Sequence, residues 1–286
     1  MKRRLARFSS AALFLVPVIV MAWFVCAPAA AGKQDRSRVV PLSQAHAHND
    51  YEHKRPLQDA LEHGFCSVEA DVFLVDGQML VGHDRKELRP GRTLERLYLE
   101  PLRERVRLNG GRIYSGVPTI FLLIDVKTEA KTTYTALAKI LARYDDILSV
   151  TRQGKFETRA VTAVISGNRA QEAIAAETVR YAGIDGRPAD LESTAPADLM
   201  PWISANWALA FGWRGDGPMP AEVRGKLEGY VRKAHARGCL VRFWGTPETP
   251  AFWKELCAAK VDLINTDKLD ELQGFLLSRL PGGQKP

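Results

Sequence analysis

Eight short apolar runs, most of them followed by a longer stretch with helical periodicity, constrain this chain more than any other feature. The runs are Val39–Ala47, Cys66–Leu74, Thr119–Val126, Val161–Ser166, Thr178–Ile184, Trp202–Asn206, Cys239–Trp244 and Val261–Asn265, and each reads as a strand. Helical patterns fall at Leu57–His63, Thr93–Arg105, Ala130–Tyr144, Asn168–Glu177, Ala221–Arg237, Thr249–Ala259 and Lys268–Ser278. Parallel strands cannot be joined by a tight hairpin and need a crossover, usually a helix, so repeated strand-then-helix order implies a parallel sheet. Eight such units in about 250 residues are the size and count of an α/β fold of the (β/α)8 TIM-barrel type, in which working groups gather at the carboxyl ends of the strands. The pattern is weakest from Gly183 to Pro201, where Gly, Pro and Asp interrupt any helix.

The first 31 residues differ from the rest. Lys2, Arg3, Arg4 and Arg7 precede the apolar run Ala11 to Val25 and a small-residue stretch ending at Ala31, the arrangement of a secretory signal peptide. At 15 residues the run is short for a spanning helix, which needs roughly 20, so a cleaved leader is favoured over a retained anchor. Residues 32–286 are then a single barrel domain, exported to a periplasm or secreted. Removing the leader takes away four of 40 basic side chains and none of 33 acidic ones. The remaining net charge of +3 gives no support for a nucleic-acid partner. Cys66, Cys239 and Cys257 match no zinc spacing and read as small buried hydrophobes.

In Val68–Glu69–Ala70–Asp71–Val72 two carboxylates alternate with apolar residues, so a strand sends both to one side. Buried like charges are costly unless a cation sits between them. A three-residue loop Val75–Asp76–Gly77 would pair Leu74 with Gln78 and bring His83 opposite Glu69. A two-residue turn would put it opposite Ala70, on the other face. The apolar run Thr119–Ile124 ends in Asp125–Val126–Lys127, which places a third carboxylate at the carboxyl end of a buried strand.

Three of the six histidines lie in His46–Ala47–His48–Asn49–Asp50–Tyr51–Glu52–His53. A His-rich two-metal site, as in metal-dependent amidohydrolases, needs more histidines from the middle strands, and none occurs between residues 84 and 234. Glu69, Asp71 and Asp125 instead offer a hard-oxygen site for one divalent cation, Mg2+ or Ca2+, leaving histidines free to move protons. His53 and His63 read as loop and helix-end residues and His235 as a helix-terminal surface group.

Taken in order, His48, Pro56, the helix Leu57–His63, Gly64, Glu69–Ala70–Asp71–Val72, Asp76–Gly77 and His83–Asp84 resemble the amino-terminal signature of glycerophosphodiester phosphodiesterases, members of the phospholipase-C-like phosphodiesterase barrels. Phe243–Trp244 and Val261–Asp267 resemble that family's last two strands. Asn49–Asp50 replaces the family's usual Arg–Gly and Asp125 stands where many members have Glu, which is closer to the venom sphingomyelinase D branch; His46–Tyr51 is closer still to the altered-inheritance-of-mitochondria branch. The resemblance implies that Glu69, Asp71 and Asp125 hold the cation, that His48 and His83 are the acid–base pair, and that Lys127, Asn49 and Trp244 line the phosphate and headgroup pocket, with Asp84 next to the second histidine placed to orient it. The expected activity is hydrolysis or transphosphorylation of a small-molecule or lipid phosphodiester. A non-catalytic binder of phosphorylated headgroups would not need so much negative charge, and the amidohydrolase alternative lacks its histidines. Trp202, Trp207, Phe211 and Trp213 would cap or fill the barrel, although their neighbourhood leaves room for contact with a membrane surface. Oligomeric state is not legible.

Overall fold

The computed structural model describes residues 39–280; the leader expected over residues 1–31 lies outside them. The strands are β1 (Leu42–Ala47), β2 (Phe65–Val75), β3 (Gln78–Val81), β4 (Ile120–Val126), β5 (Val150–Arg152), β6 (Lys155–Glu157), β7 (Val161–Gly167), β8 (Val179–Arg180), β9 (Ala182–Gly186), β10 (Trp202–Asn206), β11 (Leu240–Trp244) and β12 (Leu263–Thr266). Eight of them close in the order β1, β2, β4, β7, β9, β10, β11, β12 and back to β1, every neighbouring pair parallel. This is the expected TIM barrel.

The helices are α1 (Gln58–Glu62), α2 (Glu100–Leu108), α3 (Ala130–Ala142), α4 (Gln171–Ala175), α5 (Trp207–Phe211), α6 (Ala221–Ala236), α7 (Pro250–Ala258) and α8 (Leu269–Leu277). Local chemistry starts several of them. The Glu129 carboxylate accepts from the backbone of Lys131 and Thr132 at the head of α3, and the Thr249 hydroxyl from that of Phe252 before Pro250 opens α7. In α3 the buried residues Thr133, Tyr134, Leu137, Ile140 and Leu141 recur at helical spacing. They pack with outward-facing strand residues such as Val68, Val72, Leu122 and Ile165.

The lumen is layered. Leu123, Val164, Trp202 and Leu263 form an apolar plug, with Phe121 and Leu240 against it. Beside it lie the buried polar side chains His46, Glu69, Ser204, Arg242 and Asn265. The aromatic segment after β10 is structural: Trp202 is in the plug, Trp207 meets Phe211, Phe243 and Phe252 in the core, and Trp213 stacks on Phe252 at 5.0 Å.

Three local readings change. Thr178–Ile184 is not one strand: β8 joins β5 and β6 in a small antiparallel sheet, while β9 enters the barrel. Buried Arg180 ties β8 to Thr151 and Asp198, which pulls it off the barrel line. The hairpin β5–β6 has strands too short to show a period. The turn between β2 and β3 has two residues, since Val75 pairs with Gln78 and Leu74 with Met79. Asp76 and Gly77 both take positive φ, 47° and 77°, which is the turn that matches strand twist.

Candidate active site

Register explains why the three carboxylates meet. Glu69 and Asp71 lie two apart on β2, and Asp71 is the direct neighbour of Asp125 on β4; residues paired across parallel strands face the same way. Ligand-capable oxygens of Glu69, Asp71 and Asp125 all lie within 4.8 Å of one another, in the one such group among the described residues.

Each carboxylate is held differently. Glu69 Oε2 accepts from Arg242 Nη2 at 2.8 Å and from His46 Nε2 at 3.0 Å, all three side chains being buried. Burial alone would raise the Glu69 pKa, but Arg242 and His46 outweigh it and hold the group ionised well below the usual range. His46 itself is held neutral, its pKa lowered to about 4 by burial and then by Arg242, and it still donates through Nε2–H. Asp71 Oδ2 takes Tyr51 Oη at 2.8 Å and Lys127 Nζ at 2.9 Å, and lies 3.2 Å from His83 Nδ1. Lys127 also reaches Asp125 Oδ2 at 3.0 Å. Burial, then the Glu69 charge, pushes Asp71 up to about 6, and burial raises Asp125 as well.

Asp71 Oδ1 and Asp125 Oδ1 are buried with no hydrogen-bond partner. Gly167 (φ 65°) keeps that corner open, because a Cβ there would lie 1.9 Å from Asp125 Oδ1. Two bare, buried carboxylate oxygens beside a third, ionised carboxylate form a donor set that fits a hard divalent cation such as Mg2+ or Ca2+.

His48 follows β1 at the rim. Its Nδ1 lies 2.8 Å from Asp267 Oδ1, so Nδ1–H donates there. Burial would lower the His48 pKa, but the Asp267 hydrogen bond overcomes it and the net shift is upward. Asp267 is held in turn by Glu248, which accepts from its backbone N–H at 2.9 Å and from the Thr266 hydroxyl.

The hairpin places His83 beside Asp71 by a route the turn count alone did not give. Continuing the observed register would aim His83 away, but the ladder ends at Val81 and the chain leaves it at Gly82, bringing the imidazole back to the carboxylate. Asp84 does not orient it; its carboxylate pairs with Lys86 at 3.3 Å and its N–H donates to Glu87. Asn49 adopts left-handed φ, 46°, and its Oδ1 accepts from Tyr51 at 2.8 Å. Trp244 ends β11 at the rim and is 40% exposed.

Sequence reading missed His46 as a support for Glu69, and also Arg242, Asp267, Tyr51 and Gly167. Period-2 spacing on Arg242–Phe243–Trp244 and Asn265–Thr266–Asp267 would have marked both pairs as sharing a face. The remaining histidines are as expected: His63 pairs with Asp270 at 2.6 Å at the end of α1, and His235 with Asp262 at 2.8 Å near the end of α6. All three cysteines of the described residues are free.

The acidic cluster lies at the carboxyl ends of β2 and β4 of a closed parallel barrel, and comparison with known proteins places the chain among the phosphodiesterase barrels of the phospholipase-C-like class. Residues 34–185 match the AIM6-like phosphodiesterase domain, and residues 241–270 the glycerophosphoryl diester phosphodiesterase family. Altered inheritance of mitochondria protein 6 of Eremothecium gossypii is 32% identical, over 87% of this chain and 74% of that protein. The chain belongs to the AIM6-like phosphodiesterase family. Among solved structures, a glycerophosphodiester phosphodiesterase from Parabacteroides distasonis aligns with TM-score 0.53 at 18% identity, covering 82% of this chain and 97% of that one. A calcium-dependent phosphoinositol-specific phospholipase C from Pseudomonas sp. aligns with TM-score 0.53 at 13% identity, covering 84% and 91%. Both show the fold.

Proposed function

We propose that this protein is an exported, divalent-cation-dependent phosphodiesterase that cleaves glycerophosphodiesters or phospholipid headgroups by acid–base catalysis between His48 and His83. The observation that carries it is the convergence of Glu69, Asp71 and Asp125 within 4.8 Å, flanked by two imidazoles whose Nδ1 atoms are each engaged by an aspartate.

A divalent cation held by these carboxylates would supply stabilisation of the charge that builds on the non-bridging phosphate oxygens. Lys127, between Asp71 and Asp125, adds a second positive charge at the same place. Its own pKa is lowered by burial but raised more by Asp125 and Asp71, so it stays an ammonium. One histidine takes the proton of the attacking hydroxyl through Nε2 while the other gives a proton to the leaving alkoxide. Trp244 and Asn49 border the substrate on the rim. The same reading fits attack by water or by a neighbouring hydroxyl of the substrate, the second giving a cyclic phosphate.

The test is turnover of glycerophosphodiesters, lysophospholipids and sphingomyelin by the wild type, His48→Ala and His83→Ala, with and without chelator. Loss of cleavage in both variants and in chelator, with the thermal midpoints of the variants kept, is expected. Undiminished hydrolysis by both variants would end the proposal.

A further inference from the structure

Tyr51 belongs to no part of the acid–base pair or the acidic cluster, yet its hydroxyl touches both. Its Oη lies 2.8 Å from Asp71 Oδ2, 2.8 Å from Asn49 Oδ1 and 3.2 Å from His83 Nδ1. The ring is 3% exposed, while the His83 side chain it meets is 52% exposed. His83 therefore owes its orientation to what lies beneath it, and the buried side chains bonded to its Nδ1 are Tyr51 and Asp71.

The loop that carries Tyr51 is built to hold it still. Asn49 bends the chain through left-handed φ into the short 3-10 turn Asp50–Glu52, a conformation Asn tolerates better than most residues. Arg92 Nη2 donates to the Tyr51 carbonyl at 2.7 Å. Asp50 is fully buried, and its Oδ2 accepts from the Leu57 N–H and, at 2.9 Å, from the Tyr98 hydroxyl.

Counting protons fixes the direction of the hydrogen bonds. The phenol has one proton, and burial with Asp71 close by keeps it there. Asp71 Oδ2 only accepts. Were His83 Nδ1 unprotonated, its lone pair would face that carboxylate oxygen at 3.2 Å, acceptor against acceptor. With the proton on Nδ1, the imidazole donates to Asp71 Oδ2 or Tyr51 Oη and the phenol donates on to Asp71 or Asn49, so every contact joins a donor to an acceptor.

We propose that Tyr51 is a positioning residue: it locks neutral His83 in the Nδ1–H tautomer, so that Nε2 faces the mouth of the barrel, and it pins Asp71 Oδ2 so that Oδ1 points to the acidic cluster. The inference rests on the phosphodiesterase reading for its effect on turnover, but not for its effect on the imidazole.

Tyr51→Phe removes one oxygen and keeps the ring, so the core should survive. On the full chain, nitrogen-15 NMR of the histidine side chains should show neutral His83 mainly as the Nδ1–H tautomer in the wild type and as a mixture of tautomers in Tyr51→Phe. Turnover should fall by roughly tenfold to hundredfold in kcat with KM little changed, the usual size for loss of a support to a working group. An Nε2–H tautomer in the wild type overturns the inference even if the variant cannot be purified. So does a Tyr51→Phe protein with wild-type kcat and tautomer, or one that loses kcat with the tautomer unchanged, since its effect would then lie elsewhere. If the wild type cleaves no phosphodiester at all, the functional reading fails and the NMR result alone decides the role of Tyr51.

Discussion

At the scale of single residues, this site works by setting the ionisation of neighbours in opposite directions. Glu69 is held ionised by Arg242 and His46, while Asp71 is pushed up by burial and then by the Glu69 charge. His48 shows the same logic in a single contact. Its upward shift survives burial because of the hydrogen bond to Asp267, so Asp267→Asn, which removes the anion and keeps the shape, lowers the His48 pKa. Whichever limb of the pH–rate profile reports His48 therefore moves to lower pH in the variant; a profile that stays in place would detach Asp267 from that histidine. Glu69, Asp71 and Asp125 were legible in the sequence because alternation and strand ends are local signals, whereas His48 and His83 were singled out by the family resemblance. Arg242 and Asp267 were not, since each meets its partner across more than 170 residues of chain.

At the scale of elements, the loop after β1 is a buried polar structure stabilised by one carboxyl group. Asp50 is raised to about 7, first by burial, against the lowering effect of its bonds to Leu57 and Tyr98. The unfolded chain ionises this group near 3.8 and the folded one near 7, so between those values the folded state holds the extra proton. The contribution of Asp50 to stability is accordingly full below the lower value and declines as pH rises to the upper one, by about 4 kcal/mol at most. Asp50→Asn keeps an oxygen for both donors and cannot titrate. Urea unfolding from pH 4 to pH 7 should show a smaller decline in the variant than in the wild type, and equal slopes would contradict the assignment. Leu57 makes the clamp necessary, because it enters α1 at φ 64°, a conformation costly for a side chain of its size. The β2–β3 hairpin shows where element reading failed: one loop residue decides which face His83 inherits from the ladder, and the chain then escapes that outcome by leaving the ladder at Gly82.

At the scale of the whole molecule, a cation that binds the folded barrel and not the unfolded chain must stabilise it. Mg2+ or Ca2+ at a hundred times its dissociation constant should raise unfolding free energy by about 2.7 kcal/mol, seen as a higher thermal midpoint that chelator reverses. Asp71→Asn should shrink that rise, because a neutral amide is a poorer ligand for a hard cation; a midpoint indifferent to millimolar cation would count against the site. The sequence by itself determined the barrel and the acidic cluster, since strand–helix alternation, period-2 spacing of Glu69 and Asp71 and an acid at the end of an apolar strand are patterns carried by adjacent residues. Only the tertiary structure decided which charges neutralise which. Closing eight strands into a ring brings Arg242 to Glu69 and Asp267 to His48, and those pairings depend on barrel register, a property of the closed sheet that no single segment contains.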